Sequence, residues 1–277
     1  MILRSKSKTL DLTTPQVMGI VNITPDSFSD GGKYYQLERA LRHVESMIKA
    51  GTAIIDIGGE STRPGAADVN VETELARVIP VIEAIRQRFD CWISIDTSKA
   101  QVMTEAVNAG ADLINDVRAL QDIGALEAAA QANVPICLMH MKGQPRTMQS
   151  NPSYVDLIAD VNQFLIERIQ ACESNGISRH QLILDPGFGF GKTMAHNYQL
   201  LAQLELFHQF GLPLLAGMSR KSMISKLLNK PAVDCVAGSL ACATIAAMKG
   251  AQIIRVHDVQ ETIDVIKICN IVANYSK

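Results

Sequence analysis

The chain has no Cys-x-x-Cys pair, no excess of basic residues, and no apolar run near the ~18 residues that span a bilayer. Each absence excludes something. Lys+Arg 26 against Asp+Glu 28 leaves a net charge of −2, which argues against a nucleic-acid or anionic-membrane surface. The six cysteines, at 91, 137, 172, 235, 242 and 269, sit mostly in apolar surroundings such as Pro135-Ile136-Cys137-Leu138. Reduced core thiols of a cytoplasmic protein are therefore expected, rather than disulfides or a zinc site. The amino terminus, Met1-Ile2-Leu3-Arg4-Ser5-Lys6-Ser7-Lys8, lacks the apolar centre of a signal peptide. Nor does a linker rich in Pro, Gly or Ser divide the 277 residues, so one domain over 1–277 is expected. What is present is ample apolar material, 47% of residues against 19% charged, enough for a sizeable core.

Short apolar runs alternate with helical patterns along the whole length. The runs are Val17–Asn22, Ala53–Gly58, Trp92–Asp96, Leu113–Asp116, Ile136–His140, Leu182–Asp185, Leu214–Gly217 and Ile253–Val256. Continuous rather than alternating apolar character marks strands buried on both faces, as in a parallel sheet. Leu37, Ala40, Leu41, Val44, Met47 and Ile48 instead follow helical spacing, and Gly51 supplies the stop. Asp258, with Glu261 three residues on, predicts a capping box at the start of the last helix. Eight βα units fill the chain and predict a single (β/α)8 TIM barrel. Leu10 and Leu12 alternate with polar neighbours ahead of it, so a short N-terminal hairpin is expected to close the amino end.

Seven of the eight runs carry a polar residue at or near the far end: Asn22, Asp56, Asp96, Asn115, His140, Asp185 and Arg255. One such residue is simply a strand emerging into water. Seven point to a ligand site, because the carboxyl ends of the strands form the site in parallel α/β proteins. A buried carboxylate there needs hydrogen-bond donors, and a heterocycle carrying an amino group beside a ring N–H would supply two. General acid–base chemistry by an aspartate pair is the rival use.

The loop segments carry further signals. Asp185-Pro186-Gly187-Phe188-Gly189-Phe190-Gly191-Lys192-Thr193 fails as a nucleotide motif, because Pro186 holds the first Walker glycine and neither register completes G-x-G-x-x-G. It reads as a strand-end carboxylate followed by a compact loop whose glycines admit a ligand. Asn22 offers a neutral oxygen to a hard cation, and Arg63 a planar fork to an anion. Ser219, Arg220, Lys221 and Ser222 after the seventh strand, with Arg255 and His257 at the eighth, suit the phosphate site common in such barrels. For Lys221 the plain alternative is a solvated surface lysine, and for His257 a satisfied strand-end histidine.

Asn22-Ile23-Thr24-Pro25-Asp26-Ser27-Phe28-Ser29-Asp30-Gly31-Gly32, Gly58-Gly59-Glu60-Ser61-Thr62-Arg63-Pro64-Gly65 and Asp185-Pro186-Gly187-Phe188-Gly189-Phe190-Gly191-Lys192 resemble the signature segments of the bacterial dihydropteroate synthases. Ser219-Arg220-Lys221-Ser222 and Arg255-Val256-His257-Asp258 match as well, so the likeness covers essentially the whole chain. The resemblance implies a TIM barrel that condenses (7,8-dihydropterin-6-yl)methyl diphosphate with p-aminobenzoate, giving dihydropteroate and pyrophosphate in folate biosynthesis. It also implies Mg²⁺, a homodimer and a sulfonamide target.

Residue by residue, the resemblance places Asp96, Asn115 and Asp185 against the pterin, with Lys221 reaching the ring. It sets Arg255 beside both pterin and phosphate, and Asn22 and His257 at the diphosphate, Asn22 through the metal. Thr62 serves both substrates, and Phe28, Arg63, Ser219, Lys221 and Ser222 lie at the aminobenzoate. Lys221, Arg255 and His257 are the expected catalytic groups, in a locally basic mouth and a dissociative reaction. One position departs: Cys235 stands where the family commonly has arginine, which bears on a local contact at the dimer helices. A pterin-binding methyltransferase barrel is the alternative, sharing the aspartate cradle but having no use for a diphosphate site. A Schiff-base aldolase would need a desolvated Lys221, and a binding-only relative would have lost a pocket residue.

Overall fold

A computed structural model describes residues 1–6, 8–23, 33–61, 68–144 and 147–275, with side chains from Leu37 onward in the first helix. The chain opens with a hairpin of β1 (Ile2–Ser5) and β2 (Lys8–Asp11), paired antiparallel with Leu3 opposite Leu10. Eight strands follow: β3 (Gln16–Asn22), β4 (Ile54–Gly58), β5 (Trp92–Asp96), β6 (Leu113–Asp116), β7 (Ile136–Met139), β8 (Leu182–Asp185), β9 (Leu215–Ala216) and β10 (Ile253–Val256). Between and after them run α1 (Lys33–Ala50), α2 (Val71–Arg88), α3 (Ala100–Ala109), α4 (Ala125–Ala132), α5 (Leu157–Ser174), α6 (Met194–Ala202), α7 (Ser222–Leu228), α8 (Val236–Met248) and α9 (Val259–Asn274).

The eight strands are all parallel, in the order β8-β7-β6-β5-β4-β3-β10-β9, and a bridge between Leu184 and Leu214 joins the two ends into a barrel. Closure removes the exposed edges that an open sheet would leave. The eight expected strands are all present, their ends within two residues of the sequence reading. Gly51, at φ +107°, ends α1 as expected.

Inside the barrel each strand contributes one floor residue: Met18, Ile54, Trp92, Leu113, Cys137, Ile183, Leu215 and Ile253, all buried. Leu3 and Leu12 of the N-terminal hairpin pack into that layer and plug the amino-terminal end. Lys8 Nζ, which donates to the Cys91 carbonyl at 2.8 Å, and Lys6 Nζ, which donates to that of Val107 at 2.9 Å, pin the hairpin beneath the barrel. The alternate strand residues, such as Ile55, Ile57, Ile93, Ile95 and Leu184, face outward into the larger core beneath the helices. Burial on both faces is why the strands read as unbroken apolar runs.

The period of two then places the polar groups. Asp56, Asn115, Asp185 and Arg255 lie two residues after floor positions, and Asn22 and Asp96 lie four after. Even spacing keeps a side chain on the same face of a strand. All six therefore project into the barrel, above the apolar floor and toward its carboxyl-terminal mouth.

Candidate active site

At the centre of the mouth stands Arg255. Its Nε donates to Asp56 Oδ2 at 2.6 Å and its Nη2 to Asp96 Oδ2 at 2.7 Å. Asp56 also accepts from Asn115 Nδ2 at 3.3 Å, so the four strands β4, β5, β6 and β10 are cross-linked inside the barrel. Asn22, Gly58, Asp96 and Asn115 are successive register partners across β3, β4, β5 and β6. Gly58 supplies no side chain to this row. A Cβ there would stand 3.6 Å from both Asn22 Oδ1 and Asp96 Cβ, so the glycine keeps a gap open between those two groups.

Electrostatics follow from burial. Asp96 is pushed up to about 7 by burial, with Arg255 pulling the other way and Asp56 adding repulsion. Asp185 is likewise raised by burial, against the pull of Lys221 and the 2.7 Å bond its Oδ1 accepts from the Gly187 amide. Burial works against the Arg255 charge, but Asp56 and Asp96 outweigh it and hold the guanidinium above its ordinary value.

Lys221 is not a solvated surface lysine. It stands immediately before α7, partly buried, with Nζ donating to the Phe188 carbonyl at 2.6 Å and lying 4.6 Å from the centre of the Phe190 ring. Burial pulls it down to about 8 in spite of Asp185. The desolvation that a Schiff-base lysine requires is thus present, contrary to the sequence reading. His257 Nδ1 lies 3.0 Å from Ser219 Oγ, which also accepts from the His257 amide at 3.2 Å. Ser219 is buried and holds the imidazole, whereas Ser222 is exposed at the first position of α7. Phe28, Thr62 and Arg63 fall outside the described residues.

Three expectations are corrected. Arg220 does not reach into the mouth: it has φ +57° and its guanidinium grips Asp258, Nε to Oδ2 at 3.1 Å with a second bond from Nη2 to Oδ1. That same grip removes the predicted capping box, because the Asp258 carboxylate makes no cap bond to α9. The mouth is also not locally basic among the described residues. Asp56, Asp96 and Asp185 face Arg255 and Lys221, so positive charge is matched within the site.

Cys235 is fully buried ahead of α8, its Sγ within 3.2 Å of the Pro231 carbonyl, so it makes an internal contact. All six cysteines are free and buried.

The glycines after Asp185 serve a second purpose. Gly187 and Gly191 have φ of +75° and +63°, and a Cβ on them would lie 1.8 Å from the His140 carbonyl and 2.2 Å from that of Lys142. They let this loop press against the segment after β7. Lys192 is almost fully buried beneath it, bonded to His140.

Sequence reasoning counted Asp56 among the strand-end polar groups but gave it no specific role, and gave Lys192 none. For Asp56 the signal was there: it recurs five residues after a helix-ending glycine, as Asn115 and Arg255 do.

A magnesium ion would find a neutral hard ligand in this set, the amide oxygen of Asn22, while the Asp56 and Asp96 carboxylates are taken up by Arg255. Among the described residues no group of three or more His, Cys, Asp or Glu side chains is placed to hold a metal. An ion held through Asn22 would take its other ligands from substrate phosphate and water, the usual habit of Mg²⁺.

A family model described as "Pterin binding enzyme" matches residues 18–257. The dihydropteroate synthase of Escherichia coli (strain K12) is 59% identical over 268 residues, covering 97% of this chain and 95% of that protein. The solved 7,8-dihydropteroate synthase of Vibrio fischeri ES114 is 67% identical with a TM-score of 0.91, covering 100% of this chain and 99% of that one. A Yersinia pestis dihydropteroate synthase, solved as a sulfonamide drug complex, has a TM-score of 0.95 at 59% identity, covering 99% of this chain and 100% of that one.

Proposed function

The chain belongs to the dihydropteroate synthase family of pterin-binding enzymes, and from that premise we propose how its barrel mouth performs the reaction. It is a transferase of folate biosynthesis, joining (7,8-dihydropterin-6-yl)methyl diphosphate to p-aminobenzoate with release of pyrophosphate. The observation that carries the assignment of roles is the set of inward groups on β4, β5, β6, β8 and β10, with Arg255 locked between Asp56 and Asp96.

Asp185 and Asn115 receive the amino group and ring N–H of the pterin, Asp96 completes the cradle, and Lys221 reaches the ring from the ninth strand's loop. Arg255, oriented by its two carboxylates, lies against the ring and faces the diphosphate. His257, with Nδ1 held by Ser219, offers Nε2 to the phosphate oxygens, and Asn22 stands across the gap at Gly58. Phe28, Thr62, Arg63, Ser219 and Ser222 complete the aminobenzoate side, with Thr62 shared by both substrates. Magnesium, held through Asn22 together with the diphosphate, would neutralise charge on the leaving group.

The reaction runs leaving group first. The bond from the exocyclic methylene carbon to the diphosphate oxygen breaks, both electrons leave with pyrophosphate, and the pterin nitrogens share the positive charge. Arg255 and His257 take up the growing negative charge in a site already arranged for it. The aminobenzoate nitrogen then attacks the methylene carbon and loses a proton. No nucleophilic side chain is needed.

The chain also forms a homodimer in this reading. Support comes from Ile245 and Met248 on α8 and Ile268 and Ile271 on α9, large apolar side chains left exposed on the two packed helices. The six free thiols support a cytoplasmic setting, and no described helix is long and apolar enough to cross a membrane. The Yersinia pestis complex supports reading the aminobenzoate side as a sulfonamide target.

The test is to mix protein, Mg²⁺ and the pterin diphosphate with and without p-aminobenzoate. Pyrophosphate and dihydropteroate are expected, with slow, water-captured pterin when the amine is omitted. Absence of both products overturns the reading. Pyrophosphate release wholly dependent on the amine, with no water-captured pterin, overturns the dissociative route.

A further inference from the structure

We propose that Lys192 is a positioning residue of the pterin site: by tying off the turn 187–190 it sets the stations of Asp185 and Lys221, without touching substrate itself. The inference rests on the functional reading above, and adds to it a residue that lies outside the mouth.

Lys192 Nζ has three acceptors: the Gly187 carbonyl at 2.9 Å, the Phe190 carbonyl at 3.2 Å and His140 Nδ1 at 2.8 Å. An ammonium has three donors and no acceptor, so this set is complete. The amine is 2% exposed, and burying it needs such a set, since an unpaired buried cation is costly.

The tied turn faces the site on its other side. The Gly187 amide donates to Asp185 Oδ1 at 2.7 Å, and the Phe188 carbonyl receives Lys221 Nζ at 2.6 Å. The Phe190 ring lies under that same Nζ. Lys192 therefore holds the two carbonyls that flank Phe188, and the segment between them holds the carboxylate and the ammonium of the pterin cradle.

Other loop carbonyls are held from outside, Gly189 by Gln149 and Gly191 by Tyr154 OH at 2.8 Å. Only Lys192, among the described residues, binds two of them at once and crosses to the segment after β7 through His140, which packs edge-on against Phe164 with ring centres 5.0 Å apart. A side chain that fixes a neighbouring ligand group in this way governs affinity through geometry, as outer partners do at other sites.

The experiment is a calorimetric titration of the pterin diphosphate, with Mg²⁺ and without p-aminobenzoate, into the wild-type chain and three variants. Lys192→Met removes all three bonds. Lys192→Gln keeps two N–H donors. Arg86→Met removes part-buried bonds to the Gly110 and Cys91 carbonyls and the ion pair with Asp112 at the far end of the barrel, and so reports stability loss alone.

Lys192→Met is expected to raise the pterin Kd at least tenfold and to lower kcat/KM for the pterin in step. Lys192→Gln should recover part of that affinity, leaving Kd threefold or more above wild type, and Arg86→Met should lower Tm with Kd within twofold of wild type. Wild-type affinity in Lys192→Met, or an equal rise in Arg86→Met, overturns the inference. If Lys192→Met does not fold, Lys192→Gln decides: a Kd raised threefold or more supports positioning, and an unchanged Kd overturns it. A wild-type chain that does not take up the pterin overturns the functional reading itself.

Discussion

Arg255 Nε donates to Asp56 Oδ2 at 2.6 Å across 199 residues of sequence, joining the last barrel strand to the second. Asp56 is fully buried, so its charge is compensated only inside the site, by Arg255 and by the amide of Asn115. Breaking a buried pair by neutralising one partner typically costs 3–5 kcal/mol, because the other charge is left uncompensated. Asp56→Asn is therefore expected to lower kcat/KM for the pterin diphosphate by about 100-fold or more, through a guanidinium no longer held in place. Steady-state kinetics at saturating p-aminobenzoate check this, and a loss under fivefold would contradict the positioning of Arg255 by Asp56.

Lys221 predicts a pH limit on the alkaline side. Burial pulls its ammonium down to about 8, so a substrate that needs the charged form meets less of it as pH rises through that value. The expected profile of kcat/KM falls above about pH 8. Lys221→Arg, with a side chain charged at all working pH, should lower the plateau and remove that limb. A limb unmoved by the substitution would assign it to another group.

Stability against pH should carry two opposed slopes. His140 is pushed down to about 2 by burial and by Lys192, against about 6.5 in the unfolded chain. The folded state then binds fewer protons between those values, so His140 makes stability fall as pH drops below 6.5, by ~2 kcal/mol at pH 5. Asp96, raised to about 7 from 3.8, does the reverse: the folded state binds more protons, and stability is lost as pH rises from 4 to 7. Urea unfolding across pH 4.5–7.5 separates them. His140→Gln should lessen the loss toward acid, and Asp96→Asn the loss toward neutrality.

The barrel floor predicts a separation of stability from activity. Leu3 is 1% exposed and plugs the amino-terminal end from the hairpin. Leu3→Ala should cost roughly 2–5 kcal/mol, the range for a buried leucine truncated to alanine. The floor layer stands between that cavity and the mouth, so kcat/KM at 25 °C should stay within twofold. A large catalytic loss without unfolding would show that the floor transmits strain to the site.

Much of this fold was legible in the chain. The strand β5 (Trp92–Asp96) was bounded correctly because its apolar run ends on a carboxylate, and the end of α1 because its periodic residues stop at Gly51. Asn22, Asp96, Asn115, Asp185 and Arg255 were legible as candidate site groups for a related reason, since each lies at or next to the end of a strand where such sites form. The ninth helical segment misled. Asp258 and Glu261 fit a capping box by spacing, yet Arg220, 38 residues earlier, takes the carboxylate. Lys221 read as a loop lysine because its neighbours in sequence are polar, whereas its neighbours in space are Phe188, Phe190 and Asp185.

By itself the sequence determined the eight strands, the helices that cover them, and the polar groups near the strand ends, because periodicity and strand ends are properties of a few adjacent residues. Only the tertiary structure decided how the charges pair: Arg255 with Asp56 and Asp96, Arg220 with Asp258, Lys192 with His140. Closing a barrel brings together groups tens to hundreds of residues apart, and burial there makes each charge depend on its partner. A pattern within one strand reports the face of a side chain, and carries no information about the strand that will stand opposite.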